Sequence, residues 1–157
     1  MTGSLYTTMS IPAPPGRLAH DSAPGPPVED GPVTTVEVIS FGYGHGAPPP
    51  AHLTVDVRSH FRDPHVNRGL RYLTAEDPAV AEAVMGTPGI PALIDSAVAA
   101  VAAFRAAPSP GPVTVAVGCA GGRHRSAVIA AEVARRLGPA ATLAHRDIAR
   151  PVIEHPA

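Results

Sequence analysis

The chain has 157 residues, a formal net charge of -1 and a single cysteine, and all 12 of its Lys and Arg residues are arginine. A charge near zero argues against a surface devoted to nucleic acid, and one cysteine excludes an internal disulfide. No apolar run reaches membrane-spanning length and the N-terminus lacks the pattern of a secretory signal, so we expect a cytoplasmic protein without membrane contact.

Composition divides the chain into tails and one domain. Residues 1–32 contain runs of proline and glycine, which predict a disordered tail, and residues 151–157 are expected to be a second, short tail. Residues 33–150 are enough for one domain with its own core. Predicted strands alternate with predicted helices there, so we expect an α/β fold, a single domain of two or three layers with a mixed, partly parallel sheet flanked by helices.

Two strands and two loops are predicted in the first half of the domain. Apolar residues predict a strand over residues 34–41 and another over residues 53–57. The glycine-rich loop from Phe41 to Gly46 departs from a dinucleotide-binding fingerprint, because three prolines follow where that fingerprint needs a helix. The loop from Arg58 to Arg71 is dense in charged residues and histidines, which makes it a candidate for function.

Helices and strands alternate in the second half. Thr74 is predicted to cap a short helix, and a longer helix over residues 90–106 presents a buried apolar stripe that includes Phe104. A β-branched apolar run over residues 113–117 predicts a strand buried on both faces, and residues 142–145 predict a last short strand.

A strand, a glycine loop and a helix follow one another around Gly118-Cys-Ala-Gly-Gly-Arg-His-Arg-Ser126. The first N–H groups of a helix have no partner within it and the helix dipole adds positive charge there, so the loop is predicted to bind an anion such as phosphate. Gly121 and Gly122 allow an oxyanion to approach the backbone, while Arg123 and Arg125 add charge.

Several short motifs between Phe41 and Asp147 match one protein family. They are Phe41-Gly-Tyr-Gly-His-Gly46, Asp56-Val-Arg58, Asp63-Pro-His65, Leu70-Arg71, Leu73-Thr74, Asp77, the loop Gly118–Ser126 and His145-Arg-Asp147. In their order and spacing the chain resembles the C-terminal domain of the RapZ-type, or YvcJ-like, RNase adaptor proteins, without the P-loop kinase-like N-terminal half of full-length members. Since this chain contains no P-loop string, ATP or GTP binding is not carried over.

The resemblance implies a sensor or adaptor domain that binds an amino-sugar phosphate of the glucosamine 6-phosphate type and needs no cofactor. For some members it also implies binding of small RNA, and a regulatory protein or a second copy of the chain are further candidate partners. Ala120 replaces the commoner threonine and Ala75 the usual glycine, which leaves the ligand preference open. The predicted ligand-binding residues are Cys119, Ala120, Gly121, Gly122, Arg123, His124, Arg125, Ser126, His65 and Arg58.

The same loop fits a second chemistry, because Cys119, Arg125 and Ser126 have the spacing of a cysteine-dependent phosphatase. In that mechanism a thiolate attacks phosphorus, the arginine holds the phosphate oxygens and the hydroxyl assists the leaving thiolate. A thiol beside cations at a helix start is the kind that becomes reactive, and Asp63 on the facing loop is the candidate general acid. A phosphatase is therefore the alternative function.

Nucleic acid and metal are the remaining ligand classes. Arginines outside the anion loop are candidates for contact with RNA phosphates, or else surface charges that pair with nearby acids: Arg58, Arg62, Arg68, Arg71, Arg146 and Arg150. Four histidines fit no common ligand spacing and have no cysteine beside them, so no metal site is predicted from His45, His52, His60 and His65.

Overall fold

The structure, a computed structural model, describes residues 35–61, 63–64 and 67–153. The tail expected over residues 1–32 lies outside the described residues, as do Arg62, His65 and residues 154–157. The described part confirms the α/β class, since it contains a four-stranded sheet and three α-helices.

The sheet is parallel at each described pairing of its strands. These are β1 (Val36–Gly42), β2 (Leu53–Asp56), β3 (Val113–Cys119) and β4 (Ala141–His145), in the spatial order β2-β3-β1-β4. We expected a mixed, partly parallel sheet. The described pairings are all parallel because each connection is a crossover, which returns the chain to the same end of the sheet, and not a hairpin.

The register brings the ends of three strands together. Gly42 of β1 lies opposite Cys119 of β3, and Asp56 of β2 lies opposite Gly118. Because the strands run in one direction, the loops that follow them leave the same edge of the sheet. That edge is where open α/β sheets bind their ligands.

The helices are α1 (Pro78–Met85), α2 (Ile90–Arg105) and α3 (Arg125–Leu137). They contact one another, and both α2 and α3 pack on β3, so they form one layer and the domain has two layers. Aliphatic side chains from both layers build the core, which includes Val36, Val38, Val80, Val84, Ile90, Ile94, Val101, Val115, Val117, Ile129 and Val133.

Phe104 differs from its prediction, since it is 39% exposed instead of buried. Its ring lies beside His52, at the start of the edge strand β2, and not over the centre of the sheet. In the described part of the chain no single helix is long and apolar enough to cross a bilayer; α1 and α2 meet that test only when taken together across an 86° bend.

The start of α1 also differs from its prediction. Asp77 is the cap, because its carboxylate accepts a 2.9 Å hydrogen bond from the Ala79 N–H. Thr74 instead accepts from the Glu76 N–H at 3.3 Å, within the turn before the helix. The prediction of Thr74 as the cap is wrong because Pro78, with a fixed φ and no N–H, suits the first helical position and begins the helix there.

Candidate functional site

The predicted anion loop lies between β3 and α3, at the carboxyl edge of the sheet. It runs from Cys119 to His124, and α3 begins at Arg125. A 3-10 turn over Tyr43–His45 follows β1 beside it. The structure therefore places the loop where the strand pattern predicted it.

Close backbone contact explains two of the glycines. Gly122 has φ +77°, and a Cβ there would lie 2.8 Å from Gly42 N and 2.9 Å from the Asp147 Cβ. A Cβ on Gly42 would lie 2.6 Å from the Gly121 carbonyl carbon. A Cβ on Gly121 would meet nothing within 4 Å, so its packing does not require glycine there.

The loop's carbonyl groups point toward neighbouring segments. The Ala120 carbonyl accepts from the Gly44 N–H at 2.9 Å, and the Arg123 carbonyl accepts from the Ala75 N–H at 2.9 Å. In a trans peptide the N–H of the next residue points the opposite way, so the amides of Gly121 and His124 face away from those segments. The amides of Gly121 and His124, with the first turn of α3, are therefore the candidate anion-binding groups, whereas the Gly122 N–H donates to Cys119 Sγ.

Cys119 lies behind this loop, with 3% of its surface exposed. Its Sγ is 3.1 Å from Ser126 Oγ and accepts a 3.2 Å hydrogen bond from the Gly122 N–H. The sulfur thus ties the middle of the loop to the first turn of α3, so these contacts give Cys119 a structural role beside its predicted contact with the ligand.

Arg125 is 3% exposed, and its guanidinium contacts the segment that follows β2. Its Nη1 donates to the carbonyl oxygens of Val57 at 2.9 Å, Arg58 at 3.1 Å and Phe61 at 3.0 Å. Its Nη2 forms an ion pair with the Asp63 carboxylate. Arg125 is predicted to bind phosphate; in the structure the segment that follows β2 accepts from its Nη1 and Nη2, while its buried Nε has no hydrogen-bond partner among the described residues.

Arg123 is engaged in a similar way. Its Nη1 donates to the carbonyl oxygens of Ile148 at 3.3 Å and Arg150 at 2.6 Å, and its Nη2 donates to that of Tyr72 at 3.0 Å. The neighbouring His124 ring, 6% exposed, has Nε2 3.0 Å from the Leu73 carbonyl oxygen. Both side chains therefore join the anion loop to flanking loops.

Arg58 presents its guanidinium differently, with 49% of its side chain exposed. The guanidinium lies over the Tyr43 ring, 3.7 Å from its centroid, and pairs with the Asp56 carboxylate at 2.6 Å. The hydrogen bond from Arg58 lowers the pKa of Asp56, against the opposing effect of burial. Arg58 is thus a cation held in a defined orientation at the carboxyl edge of the sheet.

Asp147 is a residue of this region that the loop chemistry did not predict. It is 1% exposed and accepts hydrogen bonds from the Gly42 N–H at 2.8 Å and from Arg146 Nε at 2.9 Å. Burial acts to raise its pKa, but the hydrogen bonds from Arg146 and Gly42 outweigh it, so the pKa of Asp147 is lowered. The available signal was its position, just after the last strand, at the carboxyl edge of the sheet.

His52 lies apart from this site, whereas His45 lies in the 3-10 turn beside the loop and acts electrostatically on Asp147. His52 Nδ1 accepts from the Thr114 N–H at 3.0 Å, at the opposite end of β2. Among residues 35–61, 63–64 and 67–153, no three His, Cys, Asp or Glu side chains form a group able to hold a metal ion. The predicted ligand residue His65 lies outside these ranges.

Comparison with known proteins matches residues 34–149 to the RapZ C-terminal domain. A nucleotide-binding protein of Rubrobacter xylanophilus is 46% identical over 108 residues, 66% of this chain and 35% of that protein. One from Acidothermus cellulolyticus is 40% identical over 130 residues (76% and 42%), and one from Kocuria rhizophila 41% over 126 residues (75% and 41%). The chain spans less than half the length of these relatives.

Proposed function

Because the chain belongs to the RapZ C-terminal domain family, we propose that it is a sensor or adaptor domain that binds a phosphorylated small molecule at the anion loop and at the first two residues of α3, Arg125 and Ser126. The proposed ligand is an amino-sugar phosphate of the glucosamine 6-phosphate type. The observation that supports this function is the direction of the loop's peptide groups, whose carbonyls are bound by Gly44 and Ala75. The relatives' name, nucleotide-binding protein, also indicates a phosphate-bearing ligand.

Backbone amides, more than guanidinium groups, supply the binding energy in this proposal. Hydrogen bonds to a charged group are worth about 1.5–3 kcal/mol each, and the helix dipole adds about 0.3–1 kcal/mol. Arg123 and Arg125 donate to carbonyl oxygens, so Arg58 is the arginine we propose as the cationic contact. Gly121, which packing does not require, leaves room for the phosphate.

The proposal is tested by placing a carboxylate in the open space at Gly121. Calorimetric titration with glucosamine 6-phosphate, and separately with inorganic phosphate, would compare the wild-type chain with Gly121→Asp. The matched control is Gly111→Asp, since a Cβ at Gly111 also meets nothing within 4 Å and Gly111 precedes β3 at the opposite end of the sheet.

We expect wild type and the Gly111 variant to bind alike and Gly121→Asp to bind about tenfold or more weakly, because two negative charges would meet at close range. Equal binding by Gly121→Asp would exclude the loop as the site. Binding of inorganic phosphate without a preference for the amino-sugar phosphate would remove the ligand assignment and leave the anion site.

A cysteine-dependent phosphatase is the second candidate function, favoured by the 3.1 Å separation of Cys119 Sγ and Ser126 Oγ. It requires Arg125 to turn toward the phosphate and Asp63 to act as the acid, whereas these two side chains pair with each other in the structure. Incubation with p-nitrophenyl phosphate decides between the functions. Turnover that disappears in Cys119→Ser would support the phosphatase, and a lack of turnover in the wild type would remove it.

RNA binding is a further part of the family's implied function. Arg58 pairs with Asp56, and Arg146 and Arg150 lie within 2.8 Å and 3.6 Å of the buried Asp147 carboxylate, which favours ion pairing within the domain as their role. A structured RNA that produces no mobility shift at low salt would dismiss RNA as a partner of this chain.

A further inference from the structure

We propose that Arg125 and Asp63 are positioning residues, which hold the segment from Val57 to Phe61 against the start of α3 and thereby place Arg58 beside the anion loop. This inference rests on the proposed function, because it concerns the shape of the same site. It differs from the predicted role of Arg125, in which the guanidinium contacts the phosphate itself.

The positioning role is supported by three backbone carbonyl oxygens that all accept from one nitrogen of Arg125. Three carbonyl groups, those of Val57, Arg58 and Phe61, accept from Nη1 of Arg125 at 2.9–3.1 Å. A carbonyl cannot donate, so the segment needs a buried donor to bring these oxygens together. Arg125 is suited to this because a guanidinium presents five N–H donors in a fixed plane.

The segment from Val57 to Phe61 has no helix or strand of its own. His60 in this segment has φ +70°, a left-handed backbone conformation that residues other than glycine rarely adopt. Such conformations persist where the surrounding contacts impose them. The Arg125 contacts, made on both sides of His60, are the contacts that impose this one.

The bound segment carries Arg58, whose position is therefore fixed at two points. Its carbonyl oxygen is held by Arg125, and its guanidinium lies on the Tyr43 ring and against Asp56. Loss of the first contact would free the backbone that carries this cation. Anion binding should then weaken although no group that touches the anion has been changed.

The positioning role and the ligand-contact role predict opposite results when Asp63 is removed. If Arg125 contacts the ligand, Asp63→Ala frees a guanidinium and removes a negative charge, so anions should bind more tightly. If the pair positions the segment, the same change should weaken binding. The matched control is Asp95→Ala, which removes the ion pair of Arg136 between α2 and α3 and leaves its pair with Glu132.

The experiment is a titration of wild type, Asp63→Ala and Asp95→Ala with glucosamine 6-phosphate and with inorganic phosphate, at about 0.3 M salt to screen long-range charge effects. We expect about tenfold weaker binding by Asp63→Ala and a change of less than about twofold by Asp95→Ala. Hydrogen exchange, measured without ligand, should be faster in Asp63→Ala over residues 57–61 than in the other two proteins. Asp63→Asn replaces Asp63→Ala if the latter does not fold.

Binding by Asp63→Ala that is equal to or tighter than that of wild type would overturn the positioning role. If the wild type binds neither ligand, the proposed function fails, and hydrogen exchange alone then tests the positioning role of Arg125 and Asp63. Exchange over residues 57–61 that is unchanged in Asp63→Ala would overturn the positioning role. Faster exchange there would support the ion pair as a contact that orders this segment.

Discussion

Replacing Gly122 with alanine tests the close packing of the anion loop on β1. The new Cβ would lie 2.8 Å from Gly42 N, a backbone atom that cannot rotate away, and 2.9 Å from the Asp147 Cβ. In addition, Gly122 has φ +77°, which disfavours any residue that carries a Cβ. Gly121→Ala is the matched control, because the same methyl group meets nothing within 4 Å there and Gly121 is not among the residues with positive φ.

The two variants should differ clearly in stability. The left-handed conformation costs alanine about 1–2 kcal/mol, and a methyl group forced into filled space costs typically about 1–3 kcal/mol. Gly122→Ala should therefore lower the free energy of unfolding by about 2–5 kcal/mol. Gly121→Ala should change it by less than about 1 kcal/mol, since it also reduces the entropy of the unfolded chain.

Urea unfolding followed by circular dichroism measures both free energies. Because a domain of this size shifts its Tm by roughly 4 °C per kcal/mol, thermal unfolding should separate the variants by roughly 10 °C. Free energies of unfolding that agree within about 0.5 kcal/mol would show that the loop does not press on Gly42 as described, and with that the geometry behind the anion site would be refuted.

Three further predictions concern charged groups. The hydrogen bond from Arg135, with that from Arg136, lowers the pKa of Glu132 from 4.5 to about 2. The small stabilising contribution of Glu132 should therefore be lost as pH falls through that range, and acid titration of Glu132→Gln should show no such loss. Burial lowers the pKa of His145, although the charge of Glu76 opposes this effect, so the folded state favours the neutral ring. The free energy of unfolding should therefore fall as pH drops below 6.5, and this fall should be smaller in His145→Gln. Asp77→Ala should cost about 1 kcal/mol in urea unfolding, because Asp77 caps α1.

The local elements were predictable from the chain. The helix expected over residues 90–106 is α2, Ile90–Arg105, and the strand expected over residues 142–145 is β4, Ala141–His145. Apolar periodicity and the proline or glycine at an element's end are short-range signals, so they can be read without the tertiary fold. The cap of α1 was misplaced because both Thr74 and Asp77 are good capping residues, and the position of Pro78 decides between them.

The candidate site was only partly predictable. Its glycines and its position at the carboxyl end of β3 follow from the strand, loop and helix pattern. The sequence could not show that Gly122, and not Gly121, is required by packing, because the atoms that decide it belong to Gly42 and Asp147. It also could not identify Asp147 as the buried acceptor of the Gly42 amide, since the two residues are 105 positions apart.

The sequence by itself determined the α/β class, the family resemblance and the loop between β3 and α3, because these depend on residue types and spacings within short stretches. The tertiary structure decided which groups of this chain Arg123 and Arg125 contact. Arg123 and Arg125 are predicted anion ligands, and in the folded chain they donate to the carbonyl oxygens of Tyr72 and Val57, 51 and 68 positions away. Only the folded chain brings those oxygens within hydrogen-bonding distance, because they lie on segments far from the loop in sequence.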